Sequence, residues 1–312
     1  MSSLLNPGEI SIDWTMLSTF LSCEKKFYWR FVRDLVPNRT ALPLMLGAAI
    51  HKGLETYYTS DHDAVKAMCA ICTEGKALGL PETIEEAKEE DDSKGRSIQL
   101  GCWIMSDYAD YYGKDVFEVI ETEIGIVIVL IPNKLTYVGR VDAIARMLGR
   151  VYVLEHKTTS SLGYNFFDKF KLSYQASGYI LGVKTTSSYD VAGAIINGLA
   201  TSGVITPAAN VKNMSKEEAL GKRFGRAITN RSDQELNRDL QCIKDSAQRI
   251  LRRVEHGDYL MNPNACTMYR LCEYHQLCTT MDHDMMDSMI GGSYKVDPWY
   301  PTDGLAMLGG ET

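Results

Sequence analysis

The chain has 312 residues, enough for one large domain or two modest ones with a sizeable core. Hydrophobic residues make up 45% and charged residues 23%, which is ordinary for a soluble globular protein. The net charge of −7 argues against a broad surface that coats duplex nucleic acid, but not against a confined basic channel. Without a membrane-length apolar run or a signal-peptide pattern, we expect a cytoplasmic protein with no membrane partner. The eight cysteines then favour ligands or buried thiols over disulfides.

The first predicted element is a helix over residues 11–35, which Ser11 or Asp13 can cap. After Cys23, basic residues alternate with aromatic ones, an arrangement that can follow a nucleic-acid backbone and stack its bases. The alternative is a helix with a solvated basic face and an aromatic core face. The candidate nucleic-acid contacts in this stretch are Lys25, Lys26, Tyr28 and Arg30.

A second helix is predicted over residues 42–58, where Gly47 allows close backbone packing. It carries His51, which is either a ligand or an ordinary hydrogen-bonded histidine. Residues 61–112 read as a helical insertion with an acidic break. The CxxC within it has no second cysteine pair nearby, so buried thiols are favoured over a metal or redox site. The cysteines interpreted in this way are Cys69, Cys72, Cys102 and Cys242.

A long β-branched strand over residues 117–131 leads into a hairpin over 139–159, whose turn is the sequence Leu-Gly-Arg at 148–150. The strand alternation puts Glu155 and Lys157 on one face, and the hairpin brings Asp142 close to Glu155. Two carboxylates can hold a hard divalent cation that polarises a phosphate, while a lysine stabilises transition-state charge. This pattern favours phosphodiester hydrolysis. The alternative is an ion pair between Asp142 and Lys157 on a solvated face.

Two further strand carboxylates, Glu121 and Glu123, could approach this site, but we expect them to be exposed. After the hairpin, a helix over 167–183 puts Gln175 and Tyr179 on one face. A strand over 189–199 and two helices follow, the second with a Ser-x-x-Glu capping box at 232–235. Basic residues before that box form either a DNA-facing patch or a solvated face. These are Lys222, Arg223, Arg226 and Arg231.

A cysteine triplet lies in segment 262–280 with the spacing C-x5-C-x5-C, formed by Cys266, Cys272 and Cys278. Such spacing indicates a thiolate-bound metal, for which Cys23 is available as the fourth ligand and His275 could compete. Zinc modules usually supply CxxC pairs, whereas iron–sulfur clusters accept wider spacing, so a [4Fe–4S] cluster is favoured over zinc. The remaining residues, 281–312, are predicted to be an acidic peripheral tail.

Taken together in this order, the motifs resemble those of the PD-(D/E)xK nucleases of the RecB type. The closest likeness is to the iron–sulfur branch that includes the AddB nuclease domain and CRISPR-associated RecB-like exonucleases. The matching pieces are the sequences LSCEKKFYWRF, GAAIHKGLE, GRVDAI and VLEHKTT, the Gln-x3-Tyr pair and the cysteine triplet. His156 departs from the pattern, since an apolar or aromatic residue is expected there, and the first gap of the triplet is wide.

The resemblance implies a restriction-endonuclease-like α/β fold, with a mixed sheet flanked by helices and one nuclease domain over residues 1–280. It implies that His51, Asp142 and Glu155 bind Mg²⁺ or Mn²⁺ and that Lys157 is the catalytic lysine. Gln175 and Tyr179 would position that lysine or the DNA strand, and Arg140 of GRVDAI is a further candidate DNA contact. The cluster would tie the amino-terminal helix to the carboxy-terminal segment.

The expected function is therefore a metal-dependent DNA exonuclease that leaves 5′-phosphate ends. Single-stranded ends are the expected substrate, because a passage lined by aromatic and basic groups fits one strand better than a duplex. Recombination, repair, and phage or CRISPR DNA processing all suit this chemistry, with a helicase, recombinase or CRISPR partner as a separate chain. A homo-oligomer stays open. The alternatives are a catalytically inactive DNA-end-binding or assembly protein that keeps the fold and cluster, and an iron–sulfur redox protein.

Overall fold

The computed structural model describes residues 10–90, 92–113, 115–201, 215–268 and 270–303. The strands are β1 (Ile10–Ile12), β2 (Leu35–Pro37), β3 (Glu118–Ile131), β4 (Leu135–Met147), β5 (Arg150–Thr159), β6 (Val191–Ala200), β7 (Phe224–Asn230) and β8 (Tyr294–Val296). The helices are α1 (Trp14–Ser22), α2 (Glu24–Phe27), α3 (Leu42–Thr59), α4 (Ala64–Leu78), α5 (Ile84–Glu89), α6 (Ile98–Tyr112), α7 (Tyr174–Thr186), α8 (Lys216–Arg223), α9 (Asp233–His256), α10 (His275–Thr279) and α11 (His283–Ser293). No helix in these ranges is both long and apolar enough to cross a bilayer.

A six-stranded mixed sheet forms the centre, in the order β1-β4-β5-β6-β7, with β3 also paired to β4. The β1–β4 and β5–β6 pairs are parallel, and the other pairs are antiparallel. In the predicted hairpin of β4 and β5, Ala143 lies opposite Leu154. Continuing that register by one residue places Asp142 beside Glu155. The mixed sheet with flanking helices agrees with the predicted restriction-endonuclease-like architecture.

Both faces of the sheet are covered, because β5 contributes to two separate hydrophobic cores. Val153 belongs to the core formed with α1, α7 and α9. Leu154 belongs to the core formed with α3, α4 and α6 of the helical insertion. The polar residues that follow on β5 are therefore fixed from two sides, since the strand carrying them is rigidly packed.

The helix predicted over residues 11–35 is interrupted. Residues 10–12 form a strand, Asp13 caps α1, and Cys23 adopts an extended backbone with φ −161° and ψ 116°. The backbone N–H of Lys25, at the start of α2, donates to the carbonyl of Leu260 instead of continuing helix α1. A tertiary contact thus ends α1 and leaves the Cys23 side chain at a junction between two helices.

The basic stretch before α9 differs from both predicted alternatives. Arg223 pairs with Asp107, Arg226 with Asp115, and Arg231 with Asp239, and all three guanidinium groups are largely buried. Strand β7, which the sequence pattern did not predict, carries Arg226 into the interior. For these three arginines, the prediction of a DNA-facing patch or a solvated face is wrong. Lys222 is exposed.

The stretch beyond residue 280 packs on the core instead of standing apart from it. Strand β8 pairs antiparallel with β2, and α11 contributes to a small third core around Trp29 and Tyr274. The indole Nε1 of Trp299 donates to Asp13 Oδ2 at 2.8 Å. Residues 304–312 of the predicted tail lie outside the described residues. The tail is therefore integrated up to residue 303.

Replacing Gly182 of α7 by alanine is expected to destabilise the fold by about 1–3 kcal/mol. An added Cβ would stand 2.7 Å from the Cβ of Ile126 on β3, an atom that cannot move without its backbone. Gly221→Ala in α8 is the control, since its Cβ would meet only Tyr111 Oη at 3.7 Å. Chemical denaturation should show a lower free energy of unfolding for Gly182→Ala than for the wild type, and no decrease for Gly221→Ala. Equal midpoints would contradict the tight α7–β3 packing.

Candidate active site

The carboxyl end of β5 meets α7 in a chain of polar contacts. Lys157 Nζ lies 2.6 Å from Glu155 Oε1 and donates to Gln175 Oε1 at 2.9 Å. Gln175 Nε2 donates to Glu155 Oε1 at 3.0 Å and to Tyr179 Oη at 3.1 Å. One amide therefore orients the lysine, the carboxylate and the tyrosine together. The one-turn spacing of Gln175 and Tyr179 on α7 allows this arrangement.

A second pair of polar groups completes the site from β4 and α3. His51 Nδ1 of α3 lies 3.4 Å from Asp142 Oδ1. The backbone N–H of His156 donates to Asp142 Oδ2 at 2.6 Å, which ties β4 to β5 at this position. The structure thus brings together all of the predicted catalytic and divalent-metal residues, which are His51, Asp142, Glu155, Lys157, Gln175 and Tyr179.

The two carboxyl groups have opposite pKa shifts. Burial raises the pKa of Glu155 to about 7, although the Lys157 ammonium opposes it. Burial alone would also raise the pKa of Asp142, but His51 and His156 outweigh it and hold that pKa well below its usual range. Asp142 is therefore the constant negative charge of the site. Glu155 carries its charge at a cost in solvation that a cation would relieve.

His156, which departs from the expected pattern, points to the opposite face of β5. Its Nδ1 lies 2.8 Å from Asn197 Nδ2, and its ring stacks on Tyr58 at 5.9 Å and 4°. Burial lowers the pKa of His156 to about 3, so the imidazole is neutral and Nδ1 can accept from the amide. Asn197 in turn is held by Tyr108 and Arg226. His156 is therefore part of a buried hydrogen-bond network that holds strand β5 on the face away from the site.

The sequence motifs did not predict this network. Asn197, Tyr108, Arg226 and Asp115 come from four separate elements or loops and converge only in the folded chain. Their residue types are ordinary for strands and helices, and only the unexpected histidine beside Glu155 marked the place. That histidine was the available signal.

Of the two additional strand carboxylates, one approaches the site. Glu123 has a positive φ of 55°, and its Oε2 lies 2.6 Å from Arg140 Nε. Burial raises the pKa of Glu123, and the charge of Asp142 adds to the effect. Glu121 is exposed and accepts from the hydroxyl of Tyr189. Arg140, a candidate DNA contact, is therefore half-exposed and already paired.

The donor set of the site suits a divalent metal. Asp142 and Glu155 offer hard oxygen ligands and His51 a nitrogen, a combination that Mg²⁺ or Mn²⁺ accepts. Glu155 Oε2 is buried and finds no hydrogen-bond partner among the described residues, as expected for an oxygen that awaits a cation. The three side chains do not stand ready as ligands, however. Across the described ranges, no group of three or more His, Cys, Asp or Glu side chains is gathered closely enough to hold a metal ion.

The four cysteines predicted to bind a cluster lie in one neighbourhood. Cys23 Sγ accepts from the backbone N–H of Asn262 at 3.4 Å, and the N–H of Cys272 donates to Cys266 O at 2.8 Å. Burial raises the pKa of Cys278, and the nearby Cys23 and Cys266 thiols add to this effect against the Trp29 N–H. The fold therefore delivers Cys23 to the triplet across about 240 residues of chain. The sulfurs are near one another without forming a closed metal site.

The basic and aromatic residues of α2 and of the π-helical stretch after it, Tyr28–Val32, lie beside the carboxy-terminal part of the chain. Lys25 Nζ stands 4.4 Å from the ring centroid of Tyr28, and Lys26 pairs with Glu273 at 3.0 Å. Arg30 Nη1 donates to Asp297 O at 3.0 Å. These contacts hold Lys26 and Arg30 in intramolecular roles. Cys69 is exposed, so the prediction of a buried thiol is wrong for this residue, while Cys72 and Cys102 are half-buried with their sulfurs 3.6 Å apart.

The comparison with protein-family models agrees with this geometry. The family model of the PD-(D/E)XK nuclease superfamily matches residues 14–279. The chain therefore belongs to the PD-(D/E)XK nuclease superfamily. Among solved structures it is similar to a protein of Eubacterium rectale described as a "Putative exonuclease", with 13% identity over 90% of this chain and 93% of that chain and a TM-score of 0.48. No curated protein matches the chain.

Proposed function

We propose that this nuclease is a RecB-like, metal-dependent DNA exonuclease that hydrolyses phosphodiester bonds from single-stranded ends. The observation that supports it best is the Lys157 ammonium held 2.6 Å from Glu155 by an amide that also contacts Tyr179. A DNA-end-binding protein without catalysis would have no chemical need for this lysine–carboxylate–amide arrangement beside Asp142. The proposed nuclease domain spans residues 1–280, with the insertion at about 61–112.

Each residue has a separate task in the proposed reaction. His51, Asp142 and Glu155 would hold Mg²⁺ or Mn²⁺. When bound, such an ion polarises the scissile phosphate and lowers the pKa of its bound water. The Lys157 ammonium stabilises the charge that develops on the phosphate oxygens. Gln175 fixes the direction of the ammonium, and Tyr179 fixes the amide of Gln175 in turn.

We also propose a [4Fe–4S] cluster on Cys23, Cys266, Cys272 and Cys278, and with it that the chain belongs to the iron–sulfur branch. Four thiols near one another supply the all-cysteine donor set that such clusters take. A ligand about 240 residues from the other three would close a very long loop. The cluster would then fasten the amino-terminal helices to the 262–280 segment as a structural element.

The decisive experiment is cleavage of end-labelled single-stranded and duplex DNA with Mg²⁺ or Mn²⁺, with and without EDTA. We expect a ladder of shortened single strands that EDTA abolishes and that added metal restores. Asp142→Asn should lose at least about 10²-fold in rate, because it keeps the contact with the His156 N–H but removes the constant charge. Asp168→Asn, in an exposed ion pair with Lys171, is the matched control.

Two results would contradict the proposal. One is cleavage that survives EDTA. The other is an intact wild-type protein that binds DNA ends without cutting them in either metal, which would favour the end-binding alternative.

A further inference from the structure

A cavity of about 330 Å³ opens beside the active site. On one side it is lined by Asp142, Gln175 and Tyr179, which belong to β4 and α7. Five residues of the last described stretch, 298–303, also line it: Pro298, Trp299, Tyr300, Pro301 and Asp303. Asp142, Gln175 and Tyr179 of the proposed active site therefore line the same cavity as the segment 298–303. No step of the proposed reaction uses that segment.

The segment is held firmly at its base. Trp299 Nε1 donates to Asp13 Oδ2 at 2.8 Å, and the Arg30 guanidinium stands 5.3 Å from the Trp299 ring centroid. The backbone N–H of Asp297 donates to Asp34 O at 2.7 Å. Pro298 lies two residues before Tyr300 and Pro301 directly after it, and each proline restricts the backbone. Little conformational freedom is left to lose when a ligand binds there.

We infer that residues 298–303 form one wall of the substrate path, and that Tyr300 stacks on a nucleobase of the single strand whose phosphate reaches Asp142 and Lys157. Tyr300 lines the cavity and is 46% exposed, so its ring has a face available to a base. The inference rests on the proposed function and adds the specificity element that the catalytic groups lack. It would account for the proposed preference for single strands, since the faces of a base inside a duplex are already covered by its stacked neighbours.

The charge of the cavity favours stacking over phosphate contacts as the source of affinity. Its charged lining among the described residues consists of Asp13, Asp142 and Asp303 against Arg140. Arg140 is paired with Glu123, and Asp13 with Trp299. Such a surface gains little from counterion release, the effect that makes phosphate binding sensitive to salt. The contribution of Tyr300 should therefore be nearly independent of salt.

The test is fluorescence anisotropy of a labelled single-stranded oligothymidine in EDTA, where the probe stays intact by gel. Tyr300→Ala should weaken binding by about 10-fold or more, while Tyr300→Phe, which keeps the ring, should stay within about twofold of wild type. The weakening should be the same at about 50 and 200 mM salt. Tyr111→Ala is the control, because Tyr111 on α6 has similar exposure and does not line this cavity. Thermal unfolding checks that each variant is folded.

The outcomes separate the inference from the proposed function. Equal binding by Tyr300→Ala and Tyr300→Phe overturns the inference, as does wild-type protein that fails to bind the oligothymidine. If the wild type cuts DNA and Tyr300→Ala matches it in binding and rate, the proposed nuclease function is supported and the proposed role of residues 298–303 is wrong. If Tyr300→Ala weakens binding but the wild type does not cut DNA with Mg²⁺ or Mn²⁺, the proposed role of residues 298–303 is supported and the proposed nuclease function is wrong.

Discussion

Lys157→Ala is expected to lower the rate of DNA cleavage by about 10³-fold while the protein stays folded. The Lys157 ammonium is the nearest positive charge to Glu155, and alanine leaves nothing in its place. The fold should survive because Glu155, whose pKa is already raised by burial to about 7, can take up a proton once the lysine is gone. Arginine should restore little activity, since its planar fork does not match the single ammonium position between Glu155 and Gln175.

The matched control is Lys216→Ala. Lys216 also pairs with a carboxylate, Asp110, at 2.8 Å, but the pair is exposed and joins α8 to α6 of the insertion. End-labelled single-strand cleavage and thermal unfolding should be measured on both variants. Cleavage by Lys157→Ala at the wild-type rate would show that Lys157 has only a structural role in its ion pair with Glu155. Equal losses of cleavage rate in both variants would indicate a general effect of charge.

Cys23→Ser is expected to abolish cluster binding and to destabilise the protein by about 5 kcal/mol, the chain-entropy value for opening a loop of this length. Serine can keep the hydrogen bond from the Asn262 N–H, so the change isolates the loss of the thiolate. The measurements are the visible absorbance of anaerobically prepared protein, iron and zinc content, and the thermal midpoint. Limited proteolysis should then show release of the 262–280 segment.

Cys69→Ser provides the control, since this thiol is exposed on α4 and has no proposed ligand role. It should retain colour, iron and stability. A colourless wild-type preparation that contains zinc would disprove the iron–sulfur proposal while leaving the thiolate site. Unchanged stability of Cys23→Ser would instead show that no metal fastens the two ends of the chain.

The hairpin was predictable because its signals are local. The residues that turn the chain, Leu148 and Gly149, have φ values of 49° and 76°, a left-handed conformation that glycine adopts readily. Alternation along β5 correctly placed Glu155 with Lys157 and apart from His156. Helical spacing also predicted that Gln175 and Tyr179 share a face, and the contacts of Gln175 confirm it.

Features set by distant partners were not predictable. Arg226 looks like a surface residue in sequence, but it enters the interior because Asp115, Tyr58 and Tyr108 surround its guanidinium there. Strand β7 follows α8 directly, with no turn residue between them to separate helix from strand. The break at Cys23 depends on the carbonyl of Leu260, which is distant in sequence and accepts from the backbone N–H of Lys25. Local pattern cannot register such contacts.

The hydrogen bond between Trp299 and Asp13 spans 286 positions, which has a consequence for synthesis of the protein. A ribosome makes residue 13 almost at the beginning and residue 299 much later. A nascent chain can therefore fold its β4–β5 hairpin and α7 before residues 298–303, the proposed wall of the substrate path, have been made. Translation products that stop before residue 299 would contain every proposed catalytic side chain but would bind DNA weakly, because they lack Tyr300. Competence to degrade DNA would thus arrive late in translation, limiting damage by unfinished copies.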